Sequence, residues 1–124
     1  ANTYYIGIML SGKGGEEQLK AAQKVKIAFP NQTNRGAHIN ISGGGVLKHS
    51  PNRENAEKFL EFLLSEEAQV HIVNNTFEYP VLETVKPHPL IESFGNFKMD
   101  KTSVADFGKY NPEAVKLMDR VNWQ

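Results

Sequence analysis

The 124-residue chain contains no cysteine, which removes disulfides, thiolate metal centres and thiol nucleophiles together. Oxygen and imidazole donors remain for any metal. Excess charge is also missing: 14 Lys and Arg balance 14 Asp and Glu, for a formal net charge of zero. No global field would therefore hold the protein on nucleic acid or on an anionic membrane, and no nucleic-acid partner is expected. Long apolar runs are absent too, because Gly, Lys or Glu interrupts each one well short of the roughly 20 residues a membrane span requires. No basic-then-apolar leader precedes them, so the chain reads as soluble and unsignalled. It begins with Ala1 rather than methionine, directly on what reads as a helix cap. A processed or excised piece of a longer protein is expected.

What is present suits one domain by length, with 40% hydrophobic residues to supply a core. TYYIGIMLS predicts a short helix over residues 3–11 capped by Asn2 or Thr3, whose side-chain oxygens can accept an orphan backbone N–H. SGKGG marks a loop, and EEQLKAAQKV predicts an amphipathic helix with Leu19, Ala22 and Val25 on one face. KIAFP reads as a strand ended by Pro30 and NQTNRG as a polar turn. AHINISGGGVLK alternates apolar and polar residues until its triple glycine, which predicts a strand that then bends or changes sheets. Two helices follow, the first with Asn52 as cap and an apolar stripe of Phe59, Leu60, Leu63 and Leu64, the second restarting at Ser65. FEYPVLETVKPHPL, with three prolines, predicts an extended segment. In NPEAVKLMDRVNW, Pro112 lies early in a closing amphipathic helix whose apolar residues are Val115, Leu117, Met118, Val121 and Trp123.

Most candidate chemistry yields to a structural reading. The glycines Gly43, Gly44 and Gly45 lack the spacing of a phosphate loop or a dinucleotide fingerprint and read as a backbone bend. His38, His49, His71 and His88 fall at no metal-binding spacing and read as surface or structural histidines. No nucleophile elbow is present. Glu16 with Glu17, and Glu66 with Glu67, sit in first helical turns, where the dipole favours acids.

Tyr4 and Tyr5 are harder to place. Adjacent helical residues point about 100° apart, so one buried face cannot take both rings. One reading buries one ring and leaves the other half exposed. The other starts from position: at a helix N-terminus both hydroxyls can converge beyond the first turn, where free N–H groups favour anions. A phenol ionises at neutral pH only beside a strong cation such as a trivalent metal, and hard oxygen ligands suit hard cations.

ANTYY before an apolar helix, then FPNQ, then RGAHINISGGGVLKHSPNRENAEKFLEFLLSEEAQ, then FEYPV and a closing MDRVNW resemble, in order, the bacterial periplasmic ferric-ion-binding proteins. These are the substrate-binding components of iron ABC transporters, and the match corresponds to the C-terminal portion of such a protein. The resemblance implies an α/β, type II periplasmic-binding-protein fold with two lobes and ferric ion between them. It implies that residues 1–36 belong to the C-terminal lobe, that 37–47 form a hinge-crossing strand, that 48–88 supply N-terminal-lobe helices and that 89–124 return to the C-terminal lobe. It further implies Tyr4 and Tyr5 as phenolate ligands to Fe(3+), and Asn2 as a contact to a synergistic anion, phosphate or carbonate.

The implied role is not enzymatic: it is delivery of ferric iron from the periplasm to a permease in the inner membrane. Further ligands and a secretion signal would lie in the missing N-terminal part of the same protein, and the surface that part should cover makes self-association or a partner fragment expected. Two other readings stay open. One is a binding protein for a different cationic solute, thiamine-like or polyamine-like; the other is a helical interaction domain without a ligand.

Overall fold

The computed structural model describes residues 2–123. Six helices follow one another: α1 (Thr3–Leu10), α2 (Glu16–Ala22), α3 (Arg53–Leu63), α4 (Glu66–Thr76), α5 (Pro89–Glu92) and α6 (Val104–Arg120). The chain divides into two compact units. One comprises Ala1–Ala28 with Gly43–Asn96, the other Phe29–Ser42 with Phe97–Gln124.

In the first unit, α1 packs on α2 and α5. Gly7 is buried at the centre of α1, and its missing side chain lets the helix approach Phe77 and Ile91, the largest fully buried side chains. Ala22, Ala68, Val73 and Val85 complete a small core. Ser65 caps α4 as expected, its hydroxyl accepting the Ala68 N–H at 3.2 Å. The buried Gln69 ties the surrounding chain together: its amide donates to the Leu63 carbonyl at the end of α3 (2.8 Å), and its oxygen accepts the Val81 N–H (3.0 Å). Each polar atom of that side chain thus replaces a bond to water.

The second unit is held by its backbone. Phe29 stacks on Phe97 with centroids 4.0 Å apart and planes 11° apart. The Gln32 side chain then reads Lys98 like a neighbouring strand, accepting its N–H at 2.7 Å and donating to its C=O at 3.2 Å. Ala37 and Met99 form a parallel bridge, with Ala37 N–H to Lys98 C=O and Asp100 N–H to Ala37 C=O both at 2.8 Å. Gly36 precedes the bridge at φ +99°, where an L side chain is strained. Asp100 accepts the hydroxyl (2.7 Å) and the N–H (2.9 Å) of Thr102, and these bonds hold its carboxyl below the usual carboxylate range.

Several expectations are corrected. The alternating stretch 37–47 pairs only at Ala37, and KIAFP pairs nowhere among the described residues. A strand is completed by a partner's hydrogen bonds, which an alternating pattern cannot supply. The triple glycine stands where the chain passes from one unit to the other, as a join between structural units should, but it does so without positive φ, and Gly44 lies against Leu60. Helix α2 stops at Ala22, leaving Val25 outside it and exposed. Neither Asn2 nor Asn52 makes a side-chain cap bond. The proline-rich segment is irregular through residue 88 but closes in one helical turn, because His88 Nδ1 accepts the Leu90 N–H (3.1 Å) and Pro89 occupies the first helical position. Helix α6 starts at Ser103, whose hydroxyl accepts the Ala105 N–H, so that Pro112 lies inside it. Residues 1–28 group with 43–96, and Gly7 touches Phe77.

Several amphipathic faces remain uncovered. Phe59 and Phe62 of α3 are exposed, as are Val115, Leu117 and Met118 of α6 and Trp123 just beyond it.

Candidate metal centre

Helix α1 has only eight residues and Gly7 in its middle, too short and too weak in propensity to persist without its tertiary seat. That seat fixes the first turn, where Thr3, Tyr4 and Tyr5 are the opening residues. Asn2 stands at the cap position in extended conformation (φ −79°, ψ 148°), and its carbonyl accepts the Tyr5 N–H at 3.3 Å. Its side chain turns to Tyr4 instead of the helix end: Nδ2 donates to the Tyr4 hydroxyl oxygen at 2.7 Å in a partly buried setting.

The two tyrosine rings lie 4.5 Å apart, centroid to centroid, tilted by 50°. Tyr4 is half-buried, whereas Tyr5 is 54% exposed. The neighbouring Tyr4 hydroxyl, first as a hydrogen-bonding group and then through the repulsion that two neighbouring phenolates would feel, raises the Tyr5 pKa above its ordinary value. Two phenol oxygens from successive residues form a hard, oxygen-only donor set of the kind that suits a highly charged cation.

The other sequence candidates are not assembled into a site. Among the described residues no group of three or more His, Asp or Glu is placed to hold a metal. His38 lies against the Phe107 ring, His71 beside Asn75, and His88 caps α5 with its ring edge on Phe77. Glu16 pairs with Lys20 at 2.6 Å, and Gly43 and Gly45 face open space. The Asn2 to Tyr4 bond escaped the sequence reading because an asparagine before a helix signals a cap first; only the tyrosine two residues later hinted at another partner.

Residues 3–99 match a family described as bacterial extracellular solute-binding proteins. The chain belongs to that family. It is 46% identical over 124 residues to Iron uptake protein A1 of Synechocystis sp., a match that covers 100% of this chain and 34% of that protein. It superimposes with a TM-score of 0.90 and 49% identity on the Trichodesmium IdiA/FutA protein in complex with iron and citrate ligands, covering 100% of this chain and 39% of that one. A ferric binding protein from Campylobacter jejuni gives a TM-score of 0.92 at 39% identity, with 99% and 39% covered. The chain thus spans about a third of the length of the curated relatives it matches.

These matches bear out the resemblance and the fold class read from the sequence, a type II periplasmic-binding-protein fold of which this chain holds a part, mostly helical in itself. The relatives are solute-binding proteins of transport systems. No helix among the described residues is long and apolar enough to cross a membrane.

Proposed function

We propose that the chain contributes one side of a ferric-ion site in the substrate-binding component of a bacterial iron ABC transporter. The observation that carries this reading is the close pair of Tyr4 and Tyr5 on the first turn of α1, their ring centroids 4.5 Å apart, in a chain whose relatives are named for iron uptake and ferric binding. Tyr4 and Tyr5 act as phenolate ligands, each releasing its proton to solvent as the metal takes its place, and Asn2 offers an N–H to a synergistic oxyanion. Phosphate and carbonate suit that place, and citrate accompanies iron in the Trichodesmium relative. The remaining donors come from the part of the protein beyond this chain, whose second lobe closes over the ion. The protein is a carrier and not an enzyme: it works in the periplasm and hands its ion to an inner-membrane permease. Because metal and proton compete for the same oxygens, acid favours release.

The test is a titration of the full-length protein with ferric ion, kept soluble at neutral pH by a weak chelator. A visible phenolate-to-iron charge-transfer band is expected, and it should disappear in Tyr4→Phe and in Tyr5→Phe. A colourless full-length protein refutes the reading. A rise in melting temperature with an organic cation and none with iron would point to another solute; no response to either would leave a helical interaction domain.

A further inference from the structure

Asn2 occupies the position where a helix-capping side chain is expected, yet it makes no cap bond. Its amide is committed to the Tyr4 oxygen at 2.7 Å. A side chain that leaves an available cap to hold a neighbouring hydroxyl forgoes the stabilisation that a capped helix end would gain. That choice needs a compensating role. A primary amide carries two N–H donors, so the bond to Tyr4 consumes one and leaves the second for another acceptor.

We propose that Asn2 is a positioning residue for Tyr4, fixing where its oxygen stands before the metal arrives and keeping the same hydrogen bond once that oxygen is a phenolate. The proposal rests on the ferric reading of the tyrosine pair. A donor facing a neutral hydroxyl makes an ordinary hydrogen bond. Facing a phenolate, the same donor makes a charge-assisted one, shorter and roughly twice as strong. The bond therefore favours the loaded state over the empty one, and Asn2 adds to ferric affinity without touching the ion. It also sets the order within the pair. Tyr4 is the hydroxyl held by Asn2, while Tyr5 is exposed.

The experiment uses the full-length protein, with Asn2→Ala to remove the amide and Asn2→Ser to restore a capping oxygen without it. Ferric affinity is measured against a competing chelator with phosphate, carbonate and citrate in turn, together with the charge-transfer band, the melting temperature and the aromatic-ring NMR signals of the metal-free protein. Both variants should bind ferric ion about tenfold or more weakly with every one of the anions, the scale of a lost bond to a charged group, with any further loss from the anion contact of the second N–H varying from anion to anion. The band should shift, and the Tyr4 ring signals should move before any metal is added. Wild-type affinity in either variant, recovery in Asn2→Ser, or a loss confined to one anion would each overturn the positioning role, the last making Asn2 an anion contact alone. A wild-type protein that stays colourless would overturn the ferric reading and this role with it.

Discussion

Two glycines lie inside helices of this chain, and the same substitution should have opposite effects on them. An alanine at either site gains helix propensity of about 1 kcal/mol. At Gly108 of α6 the new Cβ would meet nothing within 4 Å, so Gly108→Ala should keep most of that gain. At Gly7 of α1 the new Cβ would lie 2.7 Å from the Phe77 Cβ, 3.0 Å from its Cγ and 3.1 Å from the Ile91 Cδ1. The nearest of these atoms is bonded to the backbone, so no rotamer change withdraws it, and Phe77 and Ile91 are 2% and 0% exposed, with no room to retreat. Overpacking of this kind costs about 1–3 kcal/mol. With the upper half of that range set against the propensity gain, Gly7→Ala should lose about 1–2 kcal/mol, or several degrees of melting temperature per kcal/mol for a unit of this size.

Urea unfolding can follow the two units separately, since Trp123 is the sole tryptophan and lies in the second. Its fluorescence reads Gly108→Ala, while the ring NMR signals of Tyr4 and Tyr5, both in the first unit, read Gly7→Ala. If Gly7→Ala proved as stabilising as Gly108→Ala, α1 would not be seated on Phe77 and Ile91, and the account of how the first turn is held would fail.

Two further outcomes test the second unit and the tyrosine pair. Gly36→Ala places a Cβ 2.6 Å from the Met99 carbonyl carbon at a φ of +99°. It should cost more than about 1 kcal/mol and speed amide exchange at Ala37 and Asp100, the two bridge donors; unchanged protection there would mean that the bridge is not a stable element. In an ultraviolet titration of the metal-free protein, Tyr5 should ionise above the ordinary tyrosine value near 10, and Tyr4→Phe should lower it toward that value. The sign for stability follows: the folded chain keeps a proton that the unfolded chain releases, so this contribution is intact below about pH 10 and is lost as pH rises through the folded pKa. A Tyr5 that titrates identically with and without Tyr4 would contradict the hydroxyl pairing.

The helices whose signals are local were legible in the sequence. The α3–α4 pair follows from the Leu60 and Leu63 stripe and from Ser65, whose hydroxyl caps what comes next. Features that depend on a choice between local options were not. Pro89 can end an extended run or open a turn, and the His88 ring nitrogen decided for the turn. Ser103 and Asn111 both precede plausible helix starts; the helix took the earlier one and tolerates Pro112 within it. The alternation of Ile39 and Ile41 specifies a strand only if a partner lies alongside, and among the described residues the pairing stops at Ala37. Tyr4 and Tyr5 were legible for a geometric reason, since two rings on adjacent helical residues cannot share one buried face.

That geometric problem is resolved by where the helix begins. Cα–Cβ bonds tilt toward a helix N-terminus, and in the first turn there is no preceding turn for the side chains to pack on. Rings that would diverge in mid-helix can therefore lean past the end toward each other, which is how residues about 100° apart in projection bring their centroids to 4.5 Å. Such an arrangement is only as well defined as the helix end that carries it. An eight-residue helix with a central glycine has little stability of its own, so the packing of Gly7 against Phe77 and Ile91 is what holds the first turn still. The glycine that weakens α1 as an isolated helix thereby makes its tyrosine end rigid. It follows that Gly7→Ala, which contacts neither hydroxyl, should also weaken the proposed ferric site, and by more than Gly108→Ala, which leaves that seat untouched.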